Sequence, residues 1–309
     1  MAYRLREQLN KKGRFAPGHR LCAGCGAGVA VNAVLRALEP EDKAVISNAT
    51  SCLEVSTFIY PDTAYEDSYI HSAFENAAAM TGGVEAAYRV LRKAGKVKED
   101  YKFICFGGDG GTYDIGLQSL SGAMERGHDM VYVCYDNEAY MNTGIQRSSA
   151  TPRFADATTS PVGLESYGKT QTKKDLTAII AAHGVPYVAQ TTTFGDFRDI
   201  HEKAHRAIYT EGPCFLNVLS PCPRGWRYEM EDLAEICKLA VDTCVWPLYE
   251  VIDGEWHLSY EPKQKRPVED FLVRQGRFAH MFRKGNEWMI EDAQAYVDRK
   301  WEALLEKCK

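Results

Sequence analysis

The chain of 309 residues lacks a run of about eighteen apolar residues, so nothing in it reads as a membrane-spanning helix. Its first twenty residues are too polar and too basic for a secretory signal, and a cytoplasmic location is expected. Neither sign of charge dominates. With 37 Lys and Arg against 42 Asp and Glu the net charge is -5, which argues against a nucleic-acid footprint. The basic segment Arg4, Arg6, Lys11, Lys12 and Arg14 reads as a solvated arm. Internal repeats and low-complexity segments are absent, which leaves a globular chain long enough for one large α/β domain or two smaller ones.

Cysteine is not scarce. There are ten, and a reducing compartment disfavours disulfides as their explanation. Cys105, Cys134 and Cys214 fall in apolar runs, Cys237 and Cys244 sit on and at the end of an expected helix, and Cys308 is terminal. None of these has a partner at ligand spacing. Cys22, Cys25, Cys52 and Cys222 remain. Cys22 and Cys25 form a CxxC in a glycine-rich loop, and the helical pattern of 27–38 puts Cys25 at a helix N-terminus, where the dipole favours a thiolate. Four thiolates suit zinc or a [4Fe–4S] cluster. The isolation of Cys52 and Cys222 favours iron–sulfur, with zinc and unrelated buried cysteines as the alternatives.

The stretch 107–144 declares chemistry most clearly. An apolar strand at 103–106 runs into Gly108, Asp109, Gly110 and Gly111, then a helix, then a second apolar strand ending in Asp136 and Asn137. A glycine turn before a helix lets backbone N–H groups approach a phosphate. A carboxylate aimed at that phosphate is repulsive unless a hard cation lies between them, and magnesium resolves the conflict. The amide oxygen of Asn137 and the carbonyl of Ala139 can complete its ligand set. The bland alternative is an ordinary βαβ turn.

Elsewhere helix and strand alternate. A strand at 44–46 delivers Asn48, Thr50, Ser51 and Cys52 to a polar loop, and 71–91 reads as a long helix in which His71 and Glu75 serve either the site or a cap and a surface charge. Residues 143–172 are poor in apolar side chains, which suggests a functional loop or a subunit contact. Helices are expected at 173–183 and 196–210, with strands at 187–190 and 214–219. This alternation predicts an α/β fold, a mostly parallel sheet with helices on both faces. Ligands bind such sheets beyond the carboxyl ends of the strands, so Asp109, Asn137 and Cys222 are expected to reach one region. The division expected is an arm over 1–17, the cofactor-binding domain over 18–250, and a C-terminal extension over 251–309 for packing or subunit contacts.

Taken together, CAGCG at 22–26, Cys52, GDGGTYDIGLQSL at 108–120, YDNEAYMNTGIQRSSATP at 135–152 and PCPRGW at 221–226 resemble the β subunit of the 2-oxoacid:ferredoxin oxidoreductases, the pyruvate synthase group. The resemblance implies a thiamine diphosphate-binding fold, with magnesium on Asp109, Asn137 and the Ala139 carbonyl, and one [4Fe–4S] cluster on Cys22, Cys25, Cys52 and Cys222. It implies that Asn142 acts beside the reacting carbon, with Thr143 adjacent. The activity implied is oxidative decarboxylation of a 2-oxoacid, pyruvate first, with coenzyme A as acyl acceptor and ferredoxin as electron acceptor. Glu75 and Glu85 have no motif context, so the glutamate that activates thiamine is expected from an α subunit. Ferredoxin-like γ and δ subunits would carry the further clusters. Arg224 and Arg227 meet either a carboxylate or salt-bridge partners. The competing functions are the same chemistry on another 2-oxoacid or oxalate, a non-redox thiamine diphosphate decarboxylase or synthase, and a zinc-stapled structural subunit.

Overall fold

A computed structural model describes residues 3–59, 61–195 and 197–309. After α1 (Leu5–Asn10) and α2 (Gly26–Leu35) come β1 (Lys43–Ala49), α3 (Cys52–Thr57), a small hairpin of β2 (Phe58–Ile59) and β3 (Asp62–Thr63), β4 (Ser68–Ser72) and α4 (Ala77–Lys93). Next follow β5 (Tyr101–Gly108), α5 (Leu117–Glu125), β6 (Val131–Asp136), α6 (Leu176–Ala181), β7 (Tyr187–Thr192), α7 (Arg198–Tyr209) and β8 (Cys214–Leu219). The chain ends with α8 (Pro223–Trp226), α9 (Leu233–Asp242), β9 (Tyr249–Ile252), β10 (Glu255–Leu258), α10 (Glu269–Leu272) and α11 (Glu287–Lys307).

The strands form one eight-stranded sheet in the order β10-β9-β7-β8-β6-β5-β1-β4, parallel except for the β9–β10 hairpin, which pairs antiparallel to β7. Strands β6, β7 and β8 are buried along their whole length. That is the signature of a parallel sheet covered on both sides, and each strand splits its side chains by a period of two. Ile104, Phe106, Val131, Val133, Tyr135, Leu216 and Val218 join the core with α2 and α7. Phe103, Cys105, Tyr132, Cys134 and Phe215 join the opposite core with α4, α5, α9 and α11.

Two boundaries differ from the sequence expectation in ways that matter. Residues 68–72 form an edge strand parallel to β1, so His71 lies on β4, and the helix expected over 71–91 starts at Ala77. The alanine-rich run obscured a short, mostly exposed strand whose Tyr69 and His71 stack beside Phe58. The helix expected over 173–183 is shorter, because the Asp175 side chain caps it by accepting from the Ala178 N–H at 3.2 Å, which frees Lys173. Residue 196, at the expected start of α7, lies outside the described residues.

For function, the key feature is that β8, β6, β5 and β1 are consecutive neighbours in parallel register, with Leu219 beside Asp136, Tyr135 beside Gly108, and Phe106 beside Asn48. Their carboxyl ends lie along one edge. The loops that follow them carry Cys222, Asn137, Asp109 and Cys52.

Candidate active site: an oxygen trio beside four cysteines

Strand β5 delivers Gly108 and Asp109 into a single π-helical turn, Gly110–Ile115, ahead of α5. The glycines serve close approach rather than unusual dihedrals. A Cβ on Gly110 would stand 2.3 Å from the Tyr140 ring, and one on Gly111 would stand 2.7 Å from the Phe74 carbonyl oxygen. The Tyr140 hydroxyl donates to the Gly110 carbonyl at 2.7 Å, which ties the glycine turn to the loop after β6. Thr50, Ser51, Cys52, Phe74, Asp109, Asn137 and the residues from Ala139 to Thr143 line the resulting cleft.

Asp109 is 1% exposed and accepts from the Ser148 hydroxyl at 2.5 Å. Its other oxygen, Oδ1, lies 2.8 Å from the outer atom of the Asn137 amide, which lies 2.9 Å from the Ala139 carbonyl oxygen. With the amide oxygen turned inward, three oxygens converge with no proton between them. That arrangement is repulsive unless a cation sits among them. Adjacent ligands on an octahedral magnesium with 2.1 Å bonds lie about 3.0 Å apart, and the two separations from the Asn137 amide match that spacing. With the amide reversed, its NH2 donates to both neighbours. The residues therefore fit the ion and also satisfy themselves without it. Burial, then the charge of Asp136, pushes the Asp109 carboxyl well above the usual carboxylate range, against the Ser148 hydrogen bond and Lys173. A divalent ion reverses that balance.

Behind the trio lies a charge network that sequence reading missed. Glu138 adopts a left-handed φ of 69° between Asn137 and Ala139, and its buried carboxylate meets Lys173 at 2.9 Å and Arg277 at 2.5 Å. Asp136 is fully buried and meets Lys173 at 2.6 Å and the Tyr113 hydroxyl at 2.6 Å. Burial opposes the Glu138 charge, but Lys173 and Arg277 outweigh it and hold the carboxyl below its ordinary value. Burial likewise opposes the Lys173 charge, and the two carboxylates raise its pKa in spite of that. In the sequence Glu138 stood inside DNE without a role, Lys173 opened an expected helix, and Arg277 carried no signal.

The four nominated cysteines are brought to one neighbourhood. The Gly26 N–H donates to the Pro221 carbonyl at 2.9 Å, which joins the CxxC loop to the loop of Cys222. Cys25 caps α2, Cys52 opens α3, and Cys222 caps α8 and accepts from the Gly225 N–H at 3.3 Å. Burial pushes the Cys52 thiol up to about 12, and after it the largest causes are Cys222, Cys25 and Asp109, with Cys22 last. Cys52 also lines the cleft of the oxygen trio. Burial also raises Cys25, against N–H groups of Gly28 and Ala27. Among the described residues no three His, Cys, Asp or Glu side chains gather closely enough to hold a single metal ion. Cys105, Cys134, Cys214, Cys237 and Cys244 are buried, separate from the exposed Cys22 and the half-buried Cys25, Cys52 and Cys222.

Asn142 and Thr143 stand exposed at the mouth of the cleft, the Thr143 hydroxyl donating to Gln146. Glu85 is occupied elsewhere, paired with Arg89 at 2.7 Å and His128 at 2.9 Å. Glu75 is half-buried against Gly116, and His71 lies 3.6 Å from Glu54. Arg227 pairs with Asp156 at 2.6 Å, and Arg224 is exposed.

Fold and site together define a thiamine diphosphate-binding α/β domain, and residues 49–218 match the family described as thiamine pyrophosphate enzyme, C-terminal TPP binding domain. Among curated proteins, pyruvate synthase subunit PorB of Thermotoga maritima is 51% identical, covering 97% of this chain and 94% of its own length. Ketoisovalerate oxidoreductase subunit VorB of Pyrococcus furiosus is 39% identical, covering 94% of this chain and 92% of its own. The chain belongs to the 2-oxoacid:ferredoxin oxidoreductases, with the PorB subunits of pyruvate synthase. Among solved structures, 2-oxoglutarate:ferredoxin oxidoreductase from Magnetococcus marinus, with 2-oxoglutarate, coenzyme A and succinyl-CoA bound, aligns at a TM-score of 0.56 and 25% identity. The alignment spans 65% of this chain and 64% of that chain.

Proposed function

We propose that this chain is the thiamine diphosphate- and cluster-binding β subunit of a pyruvate synthase, in which pyruvate is oxidatively decarboxylated, coenzyme A takes the acyl group and ferredoxin takes the electrons. The observation that carries this reading is the oxygen trio of Asp109, Asn137 and Ala139 standing in one cleft with Cys52, near the joined loops of Cys22, Cys25 and Cys222. Magnesium on the trio would bind the diphosphate, while Cys22, Cys25, Cys52 and Cys222 would hold one [4Fe–4S] cluster. When bound, thiamine diphosphate supplies the electron sink for loss of carbon dioxide, and the cluster takes electrons one at a time.

The protein's own part is binding, orientation and charge. The Ser148 hydroxyl holds one oxygen of Asp109, leaving Oδ1 free for the ion. The left-handed turn at Glu138 aims the Asn137 side chain and the Ala139 carbonyl to the same side. The Gly225 backbone N–H donates to the Cys222 sulfur, a contact that stabilises a cluster's negative charge and raises its potential. Asn142, at the open mouth, would orient substrate.

The cleft within this chain opens to solvent at Asn142 and Thr143. The rest of the site is therefore assigned to a partner, an α subunit that also brings the activating glutamate, with Glu85 already paired to His128 and Arg89. Ferredoxin-like γ and δ subunits would carry electrons onward in a cytoplasmic, oxygen-sensitive complex. A second reading, the same chemistry on a branched 2-oxoacid, is favoured by the identity to the ketoisovalerate oxidoreductase subunit.

Iron and acid-labile sulfide analysis of the anaerobically purified complex, followed by a 2-oxoacid panel with a low-potential dye, tests the assignment. Absence of iron rules out the redox reading in favour of a non-redox decarboxylase. A preference for 2-oxoisovalerate or 2-oxoglutarate over pyruvate moves the substrate.

A further inference from the structure

We propose that Arg277, in the C-terminal segment, is a positioning residue that holds the magnesium-ligand loop and the Cys222 loop in fixed relation and balances the charge buried between them. This rests on the cofactor sites proposed above. Arg277 is 2% exposed, and one side chain engages both loops. Its NH2 group meets the Glu138 carboxylate at 2.5 Å, and Glu138 separates Asn137 from Ala139. Its guanidinium carbon lies 3.9 Å from the centroid of the Trp226 ring. Trp226 is fully buried, ends the short helix that Cys222 caps, and donates from Nε1 to the Asn137 carbonyl at 2.7 Å. Guanidinium, indole and the Asn137 peptide thus form a closed circuit between the proposed cluster loop and the proposed metal loop.

The arginine is itself held on every side. Gln275 accepts from its Nε at 2.9 Å and its NH2 at 2.7 Å. Its carbonyl accepts from the Asp156 N–H at 3.1 Å, and the Gly276 N–H donates to the Arg227 carbonyl at 3.1 Å. A Cβ on Gly276 would stand 2.8 Å from that of Arg227, so the backbone approach demands glycine. Asp156 also binds the Arg227 side chain, so the 143–172 loop, the Cys222 loop and the C-terminal segment share one knot.

The charge count points the same way. Asp109, Asp136 and Glu138 face Lys173 and Arg277, which leaves one net negative charge to meet a magnesium ion. Without Arg277, Glu138 keeps only Lys173, already shared with Asp136. An uncompensated carboxylate then stands beside the metal loop, and a positive charge near Cys222 is lost.

The test uses the assembled, anaerobically purified complex with Arg277→Gln and Arg277→Lys. Two quantities are read: magnesium-dependent thiamine diphosphate affinity by titration, and cluster midpoint potential by paramagnetic resonance during a redox titration. Arg277→Gln is expected to weaken the affinity about tenfold or more, as loss of a charge-assisted buried hydrogen bond does, and to lower the potential. Arg277→Lys keeps the charge but not the fork or the stacking face, so it should recover the potential and not the affinity. Wild-type affinity and potential in Arg277→Gln overturn the proposal. Should that variant fail to assemble, Trp226→Phe keeps a ring beneath the guanidinium and removes the donor to Asn137. It should then weaken the cofactor affinity with the cluster signal retained, and an unchanged affinity counts against the proposal. A wild-type complex without iron or thiamine binding refutes the proposed function instead, so the two failures are distinct.

Discussion

Asp109→Asn should move two observables in opposite directions. In the cofactor-free protein the Asp109 oxygen Oδ1 faces the Asn137 amide at 2.8 Å, in a site where burial and Asp136 already oppose its charge. The introduced amide can place its NH2 there and donate to the Asn137 oxygen, while its own oxygen keeps the Ser148 hydrogen bond. Exchanging an opposed buried charge for a satisfied amide stabilises the apo protein by about 1–2 kcal/mol, or roughly 1.5–3 °C in a chain of this size. The magnesium site, in contrast, loses its one anionic ligand. Removing one partner of a buried charge pair costs about 3–5 kcal/mol, a loss of at least two orders of magnitude in magnesium-dependent thiamine diphosphate affinity. Differential scanning calorimetry of the apo subunit and a fluorescence titration of the complex with cofactor, in magnesium and in chelator, give both values. An Asp109→Asn complex that binds the cofactor with wild-type affinity refutes the ligand assignment. A lowered apo midpoint accompanied by a fall in affinity refutes the charge argument behind it.

Cys52→Ser in the complex should abolish electron transfer to a low-potential dye and alter the cluster's paramagnetic signal, with thiamine diphosphate still bound; full turnover would remove Cys52 from the ligand set. Gly110→Ala forces a methyl group to 2.3 Å from the Tyr140 ring, an overpacking that costs about 1–3 kcal/mol and should show as a lowered thermal midpoint together with weakened cofactor binding. Burial holds His201 down at about 4 from an ordinary 6.5, so the unfolded chain binds an extra proton between those values and stability falls as pH falls through that window. His201→Gln should flatten that slope by up to one proton per chain in urea titrations from about pH 6.5 to pH 4.5, and an unchanged slope would refute a buried neutral histidine.

Much of this architecture was legible because parallel sheets advertise themselves. Val131, Val133 and Tyr135 point to one core and Tyr132 and Cys134 to the other, which makes β6 a continuous apolar run in the sequence. Glycines crowded against neighbours, as Gly110 is against Tyr140, and a carboxylate at a strand end carry a motif that survives without any structure. Edge strand β4 was not legible. Its residues alternate over only Ser68–Ser72, most of them exposed, and the alanines that follow overwhelm so short a signal. The bonds that bring Cys25 to Cys222, such as Gly26 N–H to the Pro221 carbonyl, are backbone contacts and carry no residue code.

Charge compensation was the least legible feature, and the reason is physical. Asp109 and Asp136 stand at strand ends and read as polar ligands, with Glu138 two residues beyond Asp136, yet three carboxylates in one buried region are tolerable only with cations among them. Those cations come from Lys173, at the start of an expected helix, and from Arg277, in a segment that looked remote from the chemistry. A sequence shows which acids are apolar-flanked and so bound for the interior. It does not show which of its 37 Lys and Arg will follow them, because a lone cation leaves no periodic trace. The sequence test available is therefore a balance. An acid-rich buried motif implies buried cations elsewhere, and in this chain Lys173 and Arg277 meet that demand for Asp136 and Glu138, leaving the Asp109 charge for a metal ion.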